Sequence, residues 1–294
     1  MENAADLAAH FEGARSHLRA VAFRMLGSAD EADDAVQEAW LHASSAELHA
    51  IANVSGWLTT IVSRVCLDML RARRRRRESS DGEAELLAAP TRDGRDPEDE
   101  AALADSVGLA LLVVLDALGP AERVAFVLHD SFGIPFDAIA TIVDRTPDAA
   151  KKLASRARRR VHAAPIVPAP DALRHQRIVE AFLAASRAGD VDALVALLAP
   201  DAVRRADRAA LREDAELEVR GARRIAEETR GNADRARFAR VVLVNGKAGA
   251  IVAPHGRLRI VIAFTIEGDR ITAFDVFGDP SSFPRFQLSL PISI

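Results

Sequence analysis

The stretch "DRTPDAAKKLASRARRR", residues 144–160, decides how this chain is read. It gathers seven basic residues (Arg145, Lys151, Lys152, Arg156, Arg158, Arg159 and Arg160) against Asp144 and Asp148, a local charge of +5 in a chain of formal charge -4. Thr146 followed by Pro147 is a helix start, because a threonine side chain accepts a first-turn N–H and proline fits the first turn. An apolar helix, "FDAIATIVD", precedes it, and a Gly133–Pro135 break precedes that. Two short helices, a three-residue turn and a basic second helix describe a helix-turn-helix.

Such a helix puts first-turn residues at base edges and later Lys and Arg on phosphates. Thr146, Asp148, Ala149 and Lys152 are then the base-facing set, and Lys151, Arg156, Arg158 and Arg159 the backbone-facing set. The bland alternative is a solvated surface helix. One-signed charge behind a capped turn argues against it.

The rest of the chain fits an intracellular, multidomain protein. Its 294 residues exceed one ordinary core. The single Cys66 excludes a disulfide framework and favours a reducing compartment. The N-terminus lacks a signal-peptide pattern, and no uncharged apolar run approaches the roughly 18 residues of a membrane span. A cytoplasmic protein without membrane association is expected.

Residues 4–78, within a unit spanning 1–78, read as three helices. Gly27 ends the first, Ser28 caps the second with Glu31 completing a capping box, and Ser55 opens the third. The second has an acidic outer face, and the third fades into the arginines 73–77. Residues 79–98 are a polar, acidic linker. A second helical unit spans 99–163, and Pro165, Pro168 and Pro170 mark another linker over 164–173. Residues 174–285 turn α+β: helices first, then consecutive strands with a Gly268-Asp269 hairpin turn, suggesting a curved antiparallel sheet on helices. The tail 286–294 either docks on that domain or stays disordered.

"FRMLGSADEADDAVQEAWLHA" with "GWLTTIVSRVCLDMLRARRRRRE" resembles region 2 of an extracytoplasmic-function (group IV, sigma-70 family) sigma factor. "LDALGPAERVAFVLHDSFGIPFDAIATIVDRTPDAAKKLASRARRRV" resembles its region 4. The resemblance implies a promoter-specificity subunit that binds core RNA polymerase and carries it to -35 and -10 elements. It implies that Asp30, Glu31, Asp33, Asp34, Gln37 and Glu38 meet the β′ clamp helices and that region 4 meets the β flap. Residues 44–54 correspond to the loop that captures a flipped -10 base, with Asn53 and His49 as lining residues; Arg64, Asp68 and Arg71 face the -10 duplex. Trp57 reads as core, and arginines 73–77 as phosphate contacts.

"IVEAFLAASRAGDVDALVALLAPDAV" and "GDRITAFDVFGDPSSF" resemble the SnoaL-like (NTF2-like) cone, which in some sigma factors is fused C-terminally and modulates promoter engagement in cis. The expected fold is therefore two all-α sigma domains followed by an α+β cone. Three departures put the cone's docking contacts in question. "LLAAP" stands in the linker where a Trp-Leu-Pro motif is typical, "RRADRAALREDAELE" replaces a Gly-rich stretch, and "GDPSSF" replaces an Asn-Pro box.

The same cone elsewhere holds enzymes with a pocket carboxylate and a Tyr or Asp donor. Here Tyr is absent, and Asp201, Asp207, Asp275 and His255 show no committed spacing. The expectation is no enzyme, no cofactor and no metal site, with a small-molecule ligand in the cone left open. The rival reading is a polymerase-independent helix-turn-helix regulator with a ligand-binding cone.

Overall fold

A computed structural model describes residues 2–44, 51, 53–78, 108–163 and 165–291. They form two compact units. One contains the described residues up to 78 together with 118–158, the other 108–117 together with 159–291.

The first unit is helical. α1 (Glu2–Leu26), α2 (Ala29–Ala43) and α3 (Val54–Glu78) pack against one another. α1 buries Leu7, Phe11, Leu18, Val21 and Met25 on one side, the 3.6-residue spacing of an amphipathic helix. α2 buries Ala29, Ala32, Ala35, Ala39 and Ala43 with Val36, so small side chains let it lie close to its neighbours. Ser28 caps it, accepting the Glu31 N–H at 3.4 Å. Asn53, rather than Ser55, caps α3: its carboxamide oxygen accepts the Gly56 N–H at 3.0 Å. Asn53 sits at the position whose oxygen reaches a first-turn N–H, whereas Ser55 already lies inside the helix.

α5 (Pro120–Phe126) continues into a π-helical turn, Val127–Ser131, followed by α6 (Phe136–Val143) and α7 (Pro147–Val161). Asp144 closes α6 in the left-handed conformation, φ 55°, which a short polar side chain tolerates. α7 starts as its sequence indicates, with the Thr146 hydroxyl accepting from the Ala149 N–H at 3.3 Å.

In the second unit, α4 (Leu109–Asp116) lies with β3 (Ala239–Val244) and the turn at 254–256. α8 (Ala169–Ala188) begins inside the proline-marked stretch, since Pro168 and Pro170 occupy its start. It is followed by α9 (Val191–Leu197), β1 (Leu198–Ala206), β2 (Glu218–Arg220), α10 (Ala222–Arg230), α11 (Ala233–Ala236), β3, β4 (Lys247–Val252), β5 (Ile260–Glu267), β6 (Arg270–Phe277) and β7 (Leu288–Ser289). The sheet order is β2-β1-β6-β5-β4-β3-β7, antiparallel except for the parallel pair β1–β6. Phe182, Phe264 and Phe274 form the aromatic centre of the core between sheet and helices.

The sequence expects the strands after residue 237, but β1 arises from "LAPDAVRRA", which reads as the end of a helix. The tail is partly a strand: β7 pairs with β3, and the Leu290 N–H donates to the Val161 carbonyl at 2.8 Å.

Candidate nucleic-acid interface

α7 buries Ala150, Ala154, Ala157 and Val161, one residue per turn on a single face. At 100° per residue the opposite face carries Asp148, Lys152, Ser155 and Arg159, all exposed. Thr146 is exposed at its start, Lys151 and Arg156 flank it, and Ala149 is half-buried. A buried alanine face and a polar outer stripe form a helix that can lie in a groove.

Charge alone does not show which of these cations the fold has already paired. Arg158 points to the side and donates to Asp130 Oδ1 through Nε at 2.8 Å and Nη2 at 2.6 Å. Arg159 falls on the outer stripe rather than on its flank. Arg156 lies 3.4 Å from Glu122. Ser155 sits mid-stripe and is absent from the sequence-derived set, because an uncharged residue gives no signal. Helical phase relative to the buried alanines is what finds it.

The acidic face of α2 divides similarly. Asp33 accepts from Arg19 Nε at 2.7 Å, and Glu31 pairs with Arg73, so both acids tie α2 to its neighbours. Arg73 also donates to the Leu26 carbonyl at 3.3 Å, so at least one arginine of the 73–77 run is structural. Asp30, Asp34, Gln37 and Glu38 are exposed; His42 lies 3.7 Å from Glu38. Leu41, 66% exposed, extends this stripe by one turn, and an isolated apolar residue on a helix gives no signal in sequence.

On α3, Asp68 and Arg71 pair at 3.1 Å, and Arg64 Nη2 donates to the Thr141 carbonyl of α6 at 3.1 Å. Asn53 is exposed, with its side chain capping α3. His49 lies outside the described residues. Trp57 is half-buried.

Known sequence families match these two helical segments: Sigma-70 region 2 over residues 11–76 and Sigma-70, region 4 over residues 108–161. The ECF RNA polymerase sigma factor SigJ of Mycobacterium tuberculosis is 39% identical over 275 residues, covering 90% of this chain and 86% of SigJ. The chain belongs to the ECF RNA polymerase sigma factors. It is an alternative sigma factor that directs transcription initiation, acting with core RNA polymerase on promoter DNA. The M. tuberculosis protein named probable ECF RNA polymerase sigma factor SigI is 38% identical over 193 residues, covering 63% of this chain and 64% of that one. The crystal structure of M. tuberculosis SigJ is similar at 33% identity and a TM-score of 0.46, covering 94% of this chain and 98% of that one. The alignment with SigJ is too long to end with region 4, so the relationship extends into the α+β part of this sigma factor.

That part holds the carboxylates considered as catalytic candidates, and the structure keeps them apart. Asp207 accepts the N–H groups of Ala210 at 2.8 Å, Gly278 at 2.9 Å and Asp279 at 3.0 Å, stapling β1 to the end of β6. Gly278 is required there, since a Cβ would lie 2.5 Å from the Ala210 backbone nitrogen. Asp275 stands across from Arg205, 3.9 Å away, and Asp201 is exposed. The His255 side chain lies outside the described ones. A cavity of about 100 Å³ is lined by Val167, His175, Lys247, Phe264 and Thr265 among others. Desolvation, reinforced by Arg174, lowers the His175 pKa. Among the described residues no group of three His, Cys, Asp or Glu could hold a metal, and no helix is long and apolar enough to cross a membrane.

Proposed function

We propose that this sigma factor reads the -35 element with the outer stripe of α7, where Asp148, Lys152 and Ser155 meet base edges and Lys151, Arg156 and Arg159 meet phosphates. The observation that supports this is the phase of α7: a face of buried alanines directly opposite a continuous exposed polar stripe. Ser can hydrogen-bond several base edges, and Lys suits guanine. Arg158 acts indirectly, holding α7 to Asp130.

α2 then docks on the β′ clamp helices through Asp30, Asp34, Gln37 and Glu38, with Leu41 as an apolar anchor at the end of the stripe. Glu31 and Asp33 brace that helix. α3 presents Arg64, Asp68 and Arg71 to the -10 region, and region 4 meets the β flap. The α+β cone modulates these events in cis. In support, α4, which opens the matched region 4, groups with the cone, and Val161, which closes it, is hydrogen-bonded by Leu290.

The test of the α7 assignment is promoter selection by holoenzymes carrying Lys152→Ala, Ser155→Ala or Arg156→Ala. The first two are expected to cost about 1–3 kcal/mol on cognate -35 sequences and to relax the preference at one position each. Arg156→Ala is expected to weaken all promoters alike and reduce the salt slope by about 1. Uniform effects from all three would refute base reading by this stripe.

A further inference from the structure

α7 carries six basic residues, Lys151, Lys152, Arg156, Arg158, Arg159 and Arg160. Such charge attracts every phosphate alike, so it raises affinity for any duplex without selecting a sequence. The fold holds one of the six back. Arg158 donates through Nε at 2.8 Å and Nη2 at 2.6 Å to a single carboxylate oxygen, Oδ1 of Asp130.

Asp130 is placed by the backbone before it. It stands in the π-helical turn Val127–Ser131, which takes in one residue more than an α turn and so redirects the residues that follow. Val127 and Leu128 anchor that turn in the core. The Gly133 N–H donates to the His129 carbonyl and the Ile134 N–H to the Leu128 carbonyl, both at 3.0 Å. The His129 ring stacks on Phe136 at the start of α6, 4.0 Å between centres and 28° between planes. Its Nδ1 lies 3.1 Å from the Ile134 carbonyl. The turn that closes α5 is therefore fixed to α6, and it delivers a carboxylate to the side of α7.

That side matters for DNA. Arg158 lies on the same flank of α7 as Lys151, seven residues on and about 10 Å further along the axis at 1.5 Å per residue. A released Arg158 would join Lys151 on one line of phosphates. To leave, it would have to break a charge-assisted pair already formed. The Asp130 side chain, 23% exposed, would then stay largely shielded from water without its cation and close to the DNA backbone. Arg156 is held more loosely. It is 55% exposed and lies 3.4 Å from Glu122 Oε1, while Glu122 Oε2 keeps the Gly119 N–H at 3.3 Å when Arg156 swings out.

We propose that Asp130 restrains charge: it keeps Arg158 on the protein while α7 lies in the groove, and so limits the sequence-independent share of promoter binding. The proposal rests on the reading of α7 as the -35 helix. Asp130 is a positioning residue that acts through Arg158 and touches no DNA itself.

The test uses holoenzymes assembled from full-length protein and core polymerase. Their affinity is measured over a series of salt concentrations on a promoter fragment obtained by run-off selection and on the same fragment with its -35 part scrambled. Each phosphate contact adds about 0.9 to the slope of log affinity against log salt. Arg158→Gln is expected to leave the slope unchanged. Asp130→Asn, of the same shape without the charge, should steepen it by about 0.9 on both fragments and raise affinity for the scrambled one about fivefold at low salt. Adding Arg158→Gln to Asp130→Asn should return the slope to that of the unsubstituted protein, and Asp130→Glu, which keeps the charge, should retain it.

A slope flattened by about 0.9 in Arg158→Gln would show that Arg158 already meets a phosphate, and would overturn the proposal. So would steepening that persists in the double variant. An unchanged slope with weaker cognate binding in a folded Asp130→Asn protein would reduce the pair to a brace. Where the circular-dichroism melt shows that Asp130→Asn does not fold, Arg158→Gln decides alone. Arg156→Ala and Lys152→Ala, measured alongside, separate the two levels. If they act as expected above and Asp130→Asn does not, only the restraint falls; if neither alters slope or preference, the reading of α7 falls and the restraint with it.

Discussion

Adjacent arginines on β1 make opposite predictions. Arg204 and Arg205 alternate across the strand, so one faces inward and the other out. The Arg204 side chain is 4% exposed; it pairs with Glu228, itself 30% exposed, and donates to the carbonyls of Glu216 at 2.7 Å and Leu217 at 3.3 Å. Breaking a buried pair costs about 3–5 kcal/mol. Because Glu228 can turn partly to water, and methionine keeps the apolar stem, Arg204→Met is expected to cost about 2–4 kcal/mol. Arg205 is 50% exposed and pairs with Glu218 at 3.0 Å, a surface bridge worth about 0–1 kcal/mol. For a domain of this size, roughly 3–4 °C per kcal/mol follows, so Arg204→Met should lower the cone's melting temperature by about 6–16 °C and Arg205→Met by under about 4 °C. Thermal unfolding of the full-length protein followed by circular dichroism measures both. Equal, small shifts for the two variants would refute the claim that the Arg204 network organises this part of the cone.

Three further outcomes follow from the structure. Reversing Asp34 and Glu38 to Lys should abolish co-purification with core polymerase while leaving the melt of the helical unit unchanged; undiminished capture would contradict the assignment of α2. Burial pushes the Cys66 thiol pKa up, so a thiol reagent at pH 8 should label the native protein at least 100-fold more slowly than the urea-unfolded one, and rapid native labelling would contradict a closed region 2 core. The His175 pKa lies below its ordinary value of 6.5, so the unfolded chain takes up a proton first as pH falls through about 6.5. His175 therefore supports stability above that pH and less below it, and His175→Phe should flatten the pH dependence of the melt between pH 7 and 5; an unchanged slope would show that the group does not titrate differently on folding.

Much of the helical half is legible in sequence because its signals are local. Thr146 before Pro147, Ser28 before Glu31, and a 3.6-residue apolar phase each act within one turn, and the structure places the Thr146 and Ser28 caps as the spacing indicates, while the Glu31 carboxylate turns to Arg73 and leaves the capping box half made. Residues whose role depends on a distant partner are not legible. Arg123 looks like a surface charge interrupting an apolar run, yet it is buried against elements nearly 100 residues earlier in the chain. Arg73 and Arg158 read as phosphate contacts from their charge, and their pairing with Glu31 and Asp130 is set by tertiary packing. β1 escapes notice because "LAPDAV" carries a proline and follows a helix, and its parallel partner β6 lies some 70 residues on. Ser155 and Leu41 lack charge, so only the orientation of their helices reveals them.

The most direct test is run-off transcription with full-length protein, purified core polymerase and a fragmented genomic library. Initiation is expected at start sites sharing a two-part element with fixed spacing, lost when the -35 part is scrambled and altered in sequence preference by Ser155→Ala. No initiation with polymerase, alongside tight sequence-specific duplex binding by the protein alone, would contradict it.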